Sequence, residues 1–106
     1  MLGILVHHHG DEVTLKCRGS VVAGRCVEVL RVAAEMRRES IVILDLSQVR
    51  SLDAAGLGVL VELHHSLKSA GRELWLVRVT SRIKRTIKLV NLHRVLNVCD
   101  GHAVAA

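Results

Sequence analysis

Residues 41–44 (Ile-Val-Ile-Leu) form a short, uninterrupted apolar run that is rich in β-branched side chains. A run of this kind is typical of a strand that is covered on both faces, which places it at the centre of a sheet. In the preceding residues 23–38, apolar residues recur at helical spacing and charged residues occupy the other faces. An amphipathic helix that leads into a buried strand predicts an α/β fold.

The N-terminal segment carries strand patterns. Val13, Leu15 and Cys17 alternate with polar residues, as in a strand with one buried face. Residues 4–8 are predicted as its partner strand and residues 9–11 (His-Gly-Asp) as a hairpin turn, because glycine and aspartate tolerate the backbone angles of tight turns. The chain therefore opens with a hairpin, of which residues 1–11 supply the first strand and the turn.

The segment after the apolar run predicts a second helix. After residues 45–47 (Asp-Leu-Ser) a short connection is predicted, and Asp53 is predicted to cap a helix over residues 54–70. Gly71 is predicted to end that helix, because glycine readily adopts the left-handed conformation that follows a last helical turn.

The remaining residues predict a further strand and a third helix. Residues 74–79 are predicted as a strand, Ser81 as the next helix cap, and residues 95–98 as a last short strand. Residues 101–106 are predicted to form a flexible tail. The buried stripe of the third helix is predicted to consist of Ile83, Ile87 and Val90.

Together these elements predict one α/β domain over residues 1–106, a length that suffices for a single hydrophobic core. Alternating helices and strands imply right-handed crossovers, so the sheet is expected to be mixed and mostly parallel, with the N-terminal hairpin adding an antiparallel strand. Three to four packed helices are expected.

Composition narrows the class of protein. Half of the residues are apolar and Trp75 is the only aromatic among Phe, Tyr and Trp, so the core must be aliphatic. No apolar run approaches the roughly 18 residues that cross a membrane, and residues 1–6 lack the basic start of an export signal. Cys17, Cys26 and Cys99 have no CxxC spacing, which indicates reduced thiols. We therefore expect a cytoplasmic protein without membrane insertion.

Residues 41–60 (IVILDLSQVRSLDAAGLGVL) and 71–77 (GRELWLV) resemble the STAS domain of anti-sigma factor antagonists. The pattern of that family is a hydrophobic strand, D-L-S-x-V, a short loop, and D-S-S-G-L-G-x-L at the start of a helix. The likeness covers residues 13–98, through Gly19 at the position of the family's G-x-L-D, to a basic third helix and a turn at Asn91-Leu92. It implies a STAS-like fold and a protein-interaction function.

Two glycines open the helix after Asp53. Gly56 and Gly58 cost helix stability, about 1 kcal/mol each relative to alanine, which suggests a geometric need. Either the helix packs closely on the sheet at these residues, or a partner approaches closely. The sequence leaves both explanations open.

The resemblance also shows what this chain lacks. In the family, the serine before this glycine is phosphorylated by the partner anti-sigma factor, and here that position is Ala55, preceded by Ala54. The carboxylate of the family's G-x-L-D is replaced by Val22. Alanine cannot accept a phosphate, so the resemblance implies a permanently unphosphorylated binder or a fixed subunit of a larger assembly. Ser47 and Ser51 are poor substitutes, since they occupy other points of the motif.

The implied partner is a regulatory protein, an anti-sigma factor of the GHKL kinase type, and a homodimer is left open. Neither a cofactor nor direct nucleic-acid binding is expected, because the chain has no stacking aromatic beyond Trp75 and no recognition module. The residues predicted to contact the partner are Ser20, Val22, Asp53, Ala54, Ala55, Gly56 and Gly58.

The alternative function is a nucleotide- or anion-binding STAS subunit of a signalling or transport complex. Residues 68–100 contain eight basic and two acidic residues, within a chain whose net charge is +5. A charge run of this kind is usually a solvated helix face. The residues that could hold an anion are Arg82, Lys84, Arg85 and Lys88.

Catalysis and metal binding are not expected. The chain has no glycine-rich phosphate loop and no GxSxG, and capping and strand-end hydrogen bonding account for Asp45 and Asp53 at the carboxyl edge of the sheet. Adjacent histidines on a strand point to opposite faces, so residues 7–9 are expected to form an exposed hairpin end. The remaining histidines are His64, His65, His93 and His102.

Overall fold

Strands and helices alternate along the chain in the computed structural model, which describes residues 2–99. The predicted tail at residues 101–106, with His102, lies outside the described residues. The elements are β1 (Leu2–His9), β2 (Glu12–Val21), α1 (Arg25–Glu35), β3 (Ile41–Leu52), α2 (Ala54–Ser69), β4 (Glu73–Val77), α3 (Ser81–Leu89), a 3-10 turn (Leu92–Arg94) and β5 (Asn97–Cys99).

The strands of residues 2–99 form one sheet in the order β1-β2-β3-β4-β5. The β1–β2 pair is antiparallel, and the other three pairs are parallel. Pairing of His9 with Glu12 closes the hairpin through Gly10 and Asp11, and Gly10 adopts a positive φ of 60°. The predicted mixed, mostly parallel sheet with an N-terminal hairpin is therefore confirmed, and β3 is its central strand.

All three helices pack on one face of the sheet. Successive parallel strands lie side by side, so right-handed crossovers place every helix on the same side. Residues of all three helices form one aliphatic core with alternate strand residues, among them Val42 and Leu44 of β3. On the opposite face Ile43 is only 7% exposed but lies outside that core cluster. Strand β3 is therefore buried on both faces, as predicted, although helices cover only one of those faces.

Strand β3 is longer than predicted. It continues through the expected loop after Leu44 and ends at Leu52. Register shifts between Lys16 and Arg18, and between Gly19 and Ser20, show that β3 carries extra residues opposite β2. These bulges break the alternation of buried and exposed residues, which is why the sequence did not predict the second half of the strand.

The ends of α2 agree with the prediction. Asp53 precedes the helix in an extended conformation, and Gly71 follows it with φ of 74°. The amide of Gly71 donates to Lys68 O at 3.0 Å and that of Arg72 to Leu67 O at 2.8 Å, which is the Schellman pattern. Gly71 therefore ends the helix for the expected reason.

Helix α3 corrects two predictions. Its cap is Thr80, whose hydroxyl accepts from the Ile83 amide at 3.3 Å, while Ser81 is the first helical residue. Ile83 and Ile87 are buried as predicted, but Val90 lies beyond the helix and is 51% exposed. The helix ends one residue before the predicted stripe is complete.

The other boundaries shift by a few residues. Helix α1 starts at Arg25 rather than at residue 23, because Gly24 has φ of 102°. Strand β4 ends at Val77, since Arg78 adopts a positive φ of 52°, and β5 begins at Asn97 rather than at residue 95.

Candidate functional site

Asp53 holds the start of α2. One carboxylate oxygen, Oδ1, accepts from the Gly56 amide at 2.9 Å, and the Asp53 carbonyl accepts from the Leu57 amide at 2.9 Å. The first helical turn has amides without partners inside the helix, and a capping carboxylate satisfies one of them. The predicted cap is therefore confirmed.

The same carboxylate reaches a second element. Its Oδ2 accepts from the Ala23 amide at 3.0 Å, and the Asp53 amide lies 3.4 Å from Val21 O. The hydrogen bond from the Ala23 amide, followed by that from Gly56, holds the pKa of Asp53 below its usual range, because both favour the charged carboxylate. Asp53 thus joins the loop after β2 to the start of α2, a link that the sequence did not predict.

Gly56 and Gly58 have different roles. A Cβ at Gly56 would lie 2.1 Å from Val21 O and 2.7 Å from Leu52 Cδ1, so only glycine fits where α2 crosses the end of β2. A Cβ at Gly58 would meet nothing within 4 Å. Close packing therefore explains Gly56 and leaves Gly58 without a structural explanation.

The predicted contact residues lie together at the carboxyl ends of β2 and β3. Asp53, Ala54, Ala55 and Gly58 are exposed, while Gly56 is buried beneath them. Beside them, at the end of β2 and just after it, two residues are half-buried, Ser20 and Val22. We call this set of seven residues the docking surface.

Ala55 lies in the first turn of α2, where it is exposed. The two nearby serines lie in β3 and not in a loop. The Ser47 amide donates to Asp45 Oδ1 at 2.9 Å, and Ser51 pairs with Ser20 in the sheet. Neither serine lies on the helix start.

Asp45 was predicted to flank the loop at the carboxyl edge of the sheet, which is wrong. It lies within β3, is 7% exposed, and pairs with Lys16 on one side and Val77 on the other. The strand extends seven residues beyond Asp45 to Leu52, so Asp45 and Asp53 do not share a site.

The predicted anion-binding residues divide into two groups. Lys84, Arg85 and Lys88 line an open groove of about 360 Å³ with Ser81 and Leu89. Arg82 is exposed and is not among the residues that line the groove. Three of the four basic residues therefore share one face of α3.

The histidine run at the end of β1 is exposed, as predicted. His8 Nδ1 contacts Glu39 Oε2. Within residues 2–99, no cluster of three or more His, Cys, Asp or Glu side chains is arranged to hold a metal ion.

Burial raises the pKa of the Cys17 thiol to about 12, so this cysteine is not a reactive thiolate. In the same range, every helix is too short or too polar to span a membrane.

Two side chains that the sequence did not single out have unusual surroundings. His64 is 8% exposed, and its Nδ1 lacks a hydrogen-bond partner in residues 2–99. Arg72 Nη2 is likewise buried and unpartnered in that part of the chain. Only the helical spacing of His64 with Leu60 and Leu67 could have indicated its burial.

The fold defines a class of protein: a small α/β domain with one five-stranded mixed sheet, in which the start of α2 carries small, exposed side chains. The chain belongs to the STAS domain family, whose model matches residues 4–105.

The names of its curated relatives refer to anti-sigma factor antagonists. A curated Thermotoga maritima protein, named as a candidate anti-sigma factor antagonist, is 36% identical over 59 residues, which are 56% of this chain and 52% of that protein. The chain thus spans about half the length of the curated relatives it matches.

Solved structures share the fold. An anti-sigma factor antagonist from Mycobacterium paratuberculosis matches with a TM-score of 0.81 at 19% identity, over 95% of this chain and 87% of that chain. The anti-sigma factor antagonist SpoIIAA in its unphosphorylated form matches with a TM-score of 0.73 at 13% identity, over 92% and 89%. SpoIIAA of Bacillus has also been solved in a phosphorylated form. At these identities the likenesses show that the chain shares the fold of those proteins.

Proposed function

We propose that the docking surface binds a regulatory protein, an anti-sigma factor of the GHKL kinase type, and that it does so without a phosphorylation switch. The observation that carries the proposal is the position of Ala54 and Ala55. Both are exposed on the first turn of a helix whose start is fixed by Asp53.

A fixed helix start favours binding, because a surface that is already ordered loses little conformational entropy when a partner docks. Asp53 supplies this order through its two hydrogen bonds, one within α2 and one to the loop after β2. Small side chains at residues 54 and 55 let a partner backbone approach closely. Gly58 enlarges the part of the docking surface that a partner backbone can approach, since glycine has no side chain.

The proposed absence of the switch rests on two side chains. Ala55 has no hydroxyl to phosphorylate, and the half-buried Val22, which precedes the residue that Asp53 holds, supplies no carboxylate. A phosphate at this position would add about −1.5 to −2 charges to the helix start, and this chain cannot carry that charge there. Binding would then be controlled by the amounts of the two proteins.

The test uses the full chain as bait for GHKL-type anti-sigma factors of its native host, followed by calorimetric titration with each purified partner. An Ala55→Asp variant should weaken binding by about 10-fold or more, since a buried, unpaired charge at an interface is costly. A Ser66→Asp variant is the matched control, because it adds the same charge to an exposed residue of the same helix. Equal affinities for Ala55→Asp and the unaltered chain would refute the proposed surface.

A further inference from the structure

A cavity of about 210 Å³ lies between the second half of α2 and the amino ends of β4 and β5. Its lining includes His64 and Lys68 of α2, Arg72 of the following turn, and strand residues Leu74 and Trp75. Because β2 to β5 run parallel, the docking surface at the carboxyl ends of β2 and β3 lies at the opposite edge of the sheet. The cavity is therefore a separate feature of the molecule.

His64 lines this cavity, and one of its ring nitrogens lacks a hydrogen bond. It is more than nine-tenths buried, but its Nδ1 has no hydrogen-bond partner in residues 2–99. Buried polar side-chain atoms are nearly always hydrogen-bonded, because an unpaired one loses the interaction with water and gains nothing in exchange. A polar group that enters the cavity would supply the hydrogen bond that His64 Nδ1 lacks.

Arg72 provides a second unpaired group at the same cavity. Its Nε donates to Glu39 O at 2.8 Å, which fixes one side of the guanidinium. Its Nη2 is buried and has no partner within the described residues. A guanidinium that is held on one side and unpaired on the other is suited to an acceptor such as a carboxylate oxygen.

The charge around the cavity favours an anion. The lining contains two basic side chains, Lys68 and Arg72, against one acidic side chain, Glu73. The Oε1 atom of Glu73 accepts from Trp75 Nε1 at 2.8 Å, so part of its hydrogen-bonding capacity is already used. Leu74, which faces the helices, offers apolar surface, whereas the side chain of Trp75, whose partner in the sheet is Ile43, lies on the opposite face of β4.

The size of the cavity limits the ligand. A volume of 210 Å³ corresponds to about seven water molecules at roughly 30 Å³ each, and sites for drug-sized ligands begin at about 300 Å³. A molecule with a carboxylate and a short apolar part is of the right size to occupy it.

We propose that this cavity binds a small organic carboxylate, held by Lys68, Arg72 and His64, with its apolar part against Leu74. Both unpaired nitrogens then gain an acceptor. They are closed to solvent in the empty cavity, so binding includes a rotation of the His64 ring and a small shift of the Arg72 guanidinium onto the carboxylate oxygens.

Trp75 makes the proposal testable by fluorescence. It is the only tryptophan and the chain has no tyrosine, so the intrinsic emission comes from one residue, which borders the cavity through β4. Titration of the full chain with sodium propionate at constant ionic strength should give a saturable change, with a Kd on the order of 1 mM for so small a ligand. Propionamide has the same shape without the charge and should give no saturable change.

Single substitutions test whether the change in fluorescence comes from binding at this cavity. Lys68→Gln should weaken propionate binding about 10-fold, because it removes an exposed cation from the cavity while leaving the core intact. Arg50→Gln removes the same charge from an exposed residue of β3 and should leave the Kd unchanged. His64→Gln tests the buried partner, and if that variant fails to fold, Lys68→Gln and Arg50→Gln still decide. Equal responses to propionate and propionamide, or equal Kd values for Lys68→Gln and Arg50→Gln, would overturn the proposal.

Discussion

Gly56 lies against the end of β2 so closely that a Cβ on it would be 2.1 Å from the carbonyl oxygen of Val21. The obstacle is backbone, which cannot rotate away as a flexible side chain can. This contact sets how near α2 comes to the sheet. It therefore also sets the position of Asp53, Ala54 and Ala55, which belong to the docking surface.

We predict that Gly56→Ala destabilises the protein by about 3 kcal/mol, because either α2 or the end of β2 must move to admit the methyl group. Urea unfolding followed by circular dichroism measures the loss. The matched substitution in open space is Gly58→Ala. If Gly56→Ala unfolds at the same urea concentration as the unaltered chain, the close contact does not exist in solution.

Gly58→Ala should act in the opposite direction on stability. With nothing within 4 Å of the new methyl group, the helix gains up to about 1 kcal/mol from the better propensity of alanine. The same substitution should weaken partner binding, since the methyl group stands on the docking surface. Urea unfolding and calorimetry on one preparation measure both effects, and unchanged affinity would show that the partner does not approach Gly58.

The sequence predicted the part of this site that depends on local chemistry. Asp53 as a cap and Gly71 as a helix end follow from hydrogen bonding within a few residues along the chain. The link from Asp53 to Ala23 joins residues 30 positions apart, and the contact of Gly56 with Val21 depends on how α2 crosses the sheet. Neither leaves a periodic signal in the sequence.

The errors in the fold have a similar cause. Leu46, Val49 and Leu52 face inward or are partly buried at a spacing of three, because bulges add residues to β3 opposite β2. That spacing matches neither a strand nor a helix, so the segment resembled a loop. Thr80 and Ser81 are both good caps, and composition alone does not choose between neighbours of similar propensity.

The hydrogen bonds of Asp53 make the stability of the folded protein depend on pH in the acidic range. Its pKa is lowered in the folded protein, so its contribution is complete above the unfolded pKa of about 4 and is lost as the pH falls through the folded value. Asp53→Asn should therefore lower the midpoint of urea unfolding at pH 7, and the difference from the unaltered chain should shrink below pH 4. A difference that stays constant down to pH 2 would contradict the assigned hydrogen bonds.

His64 predicts a dependence at higher pH. Burial, followed by the nearby charges of His65 and Lys68, lowers its pKa, so below about pH 6.5 the unfolded chain binds more protons than the folded one. Stability should fall as the pH decreases from 7 to 5 in a buffer without small carboxylates. His64→Gln should remove part of that decrease, whereas His65→Gln, at an exposed residue, should remove less. Identical pH profiles for the two variants would contradict the burial of His64.

The missing hydroxyl at residue 55 predicts the response to a kinase. Incubation with a cognate kinase-type anti-sigma factor and Mg-ATP should leave the chain at its unmodified mass. Ala55→Ser should regain slow phosphorylation, because the new hydroxyl is exposed on the first turn of α2. Adding Val22→Asp should increase the rate, since Val22 borders the loop that Asp53 joins to α2. Intact-mass spectrometry measures each product. A phosphate on the unaltered chain at Ser47 or Ser51, both within β3, would show that the modified residue had moved along the chain.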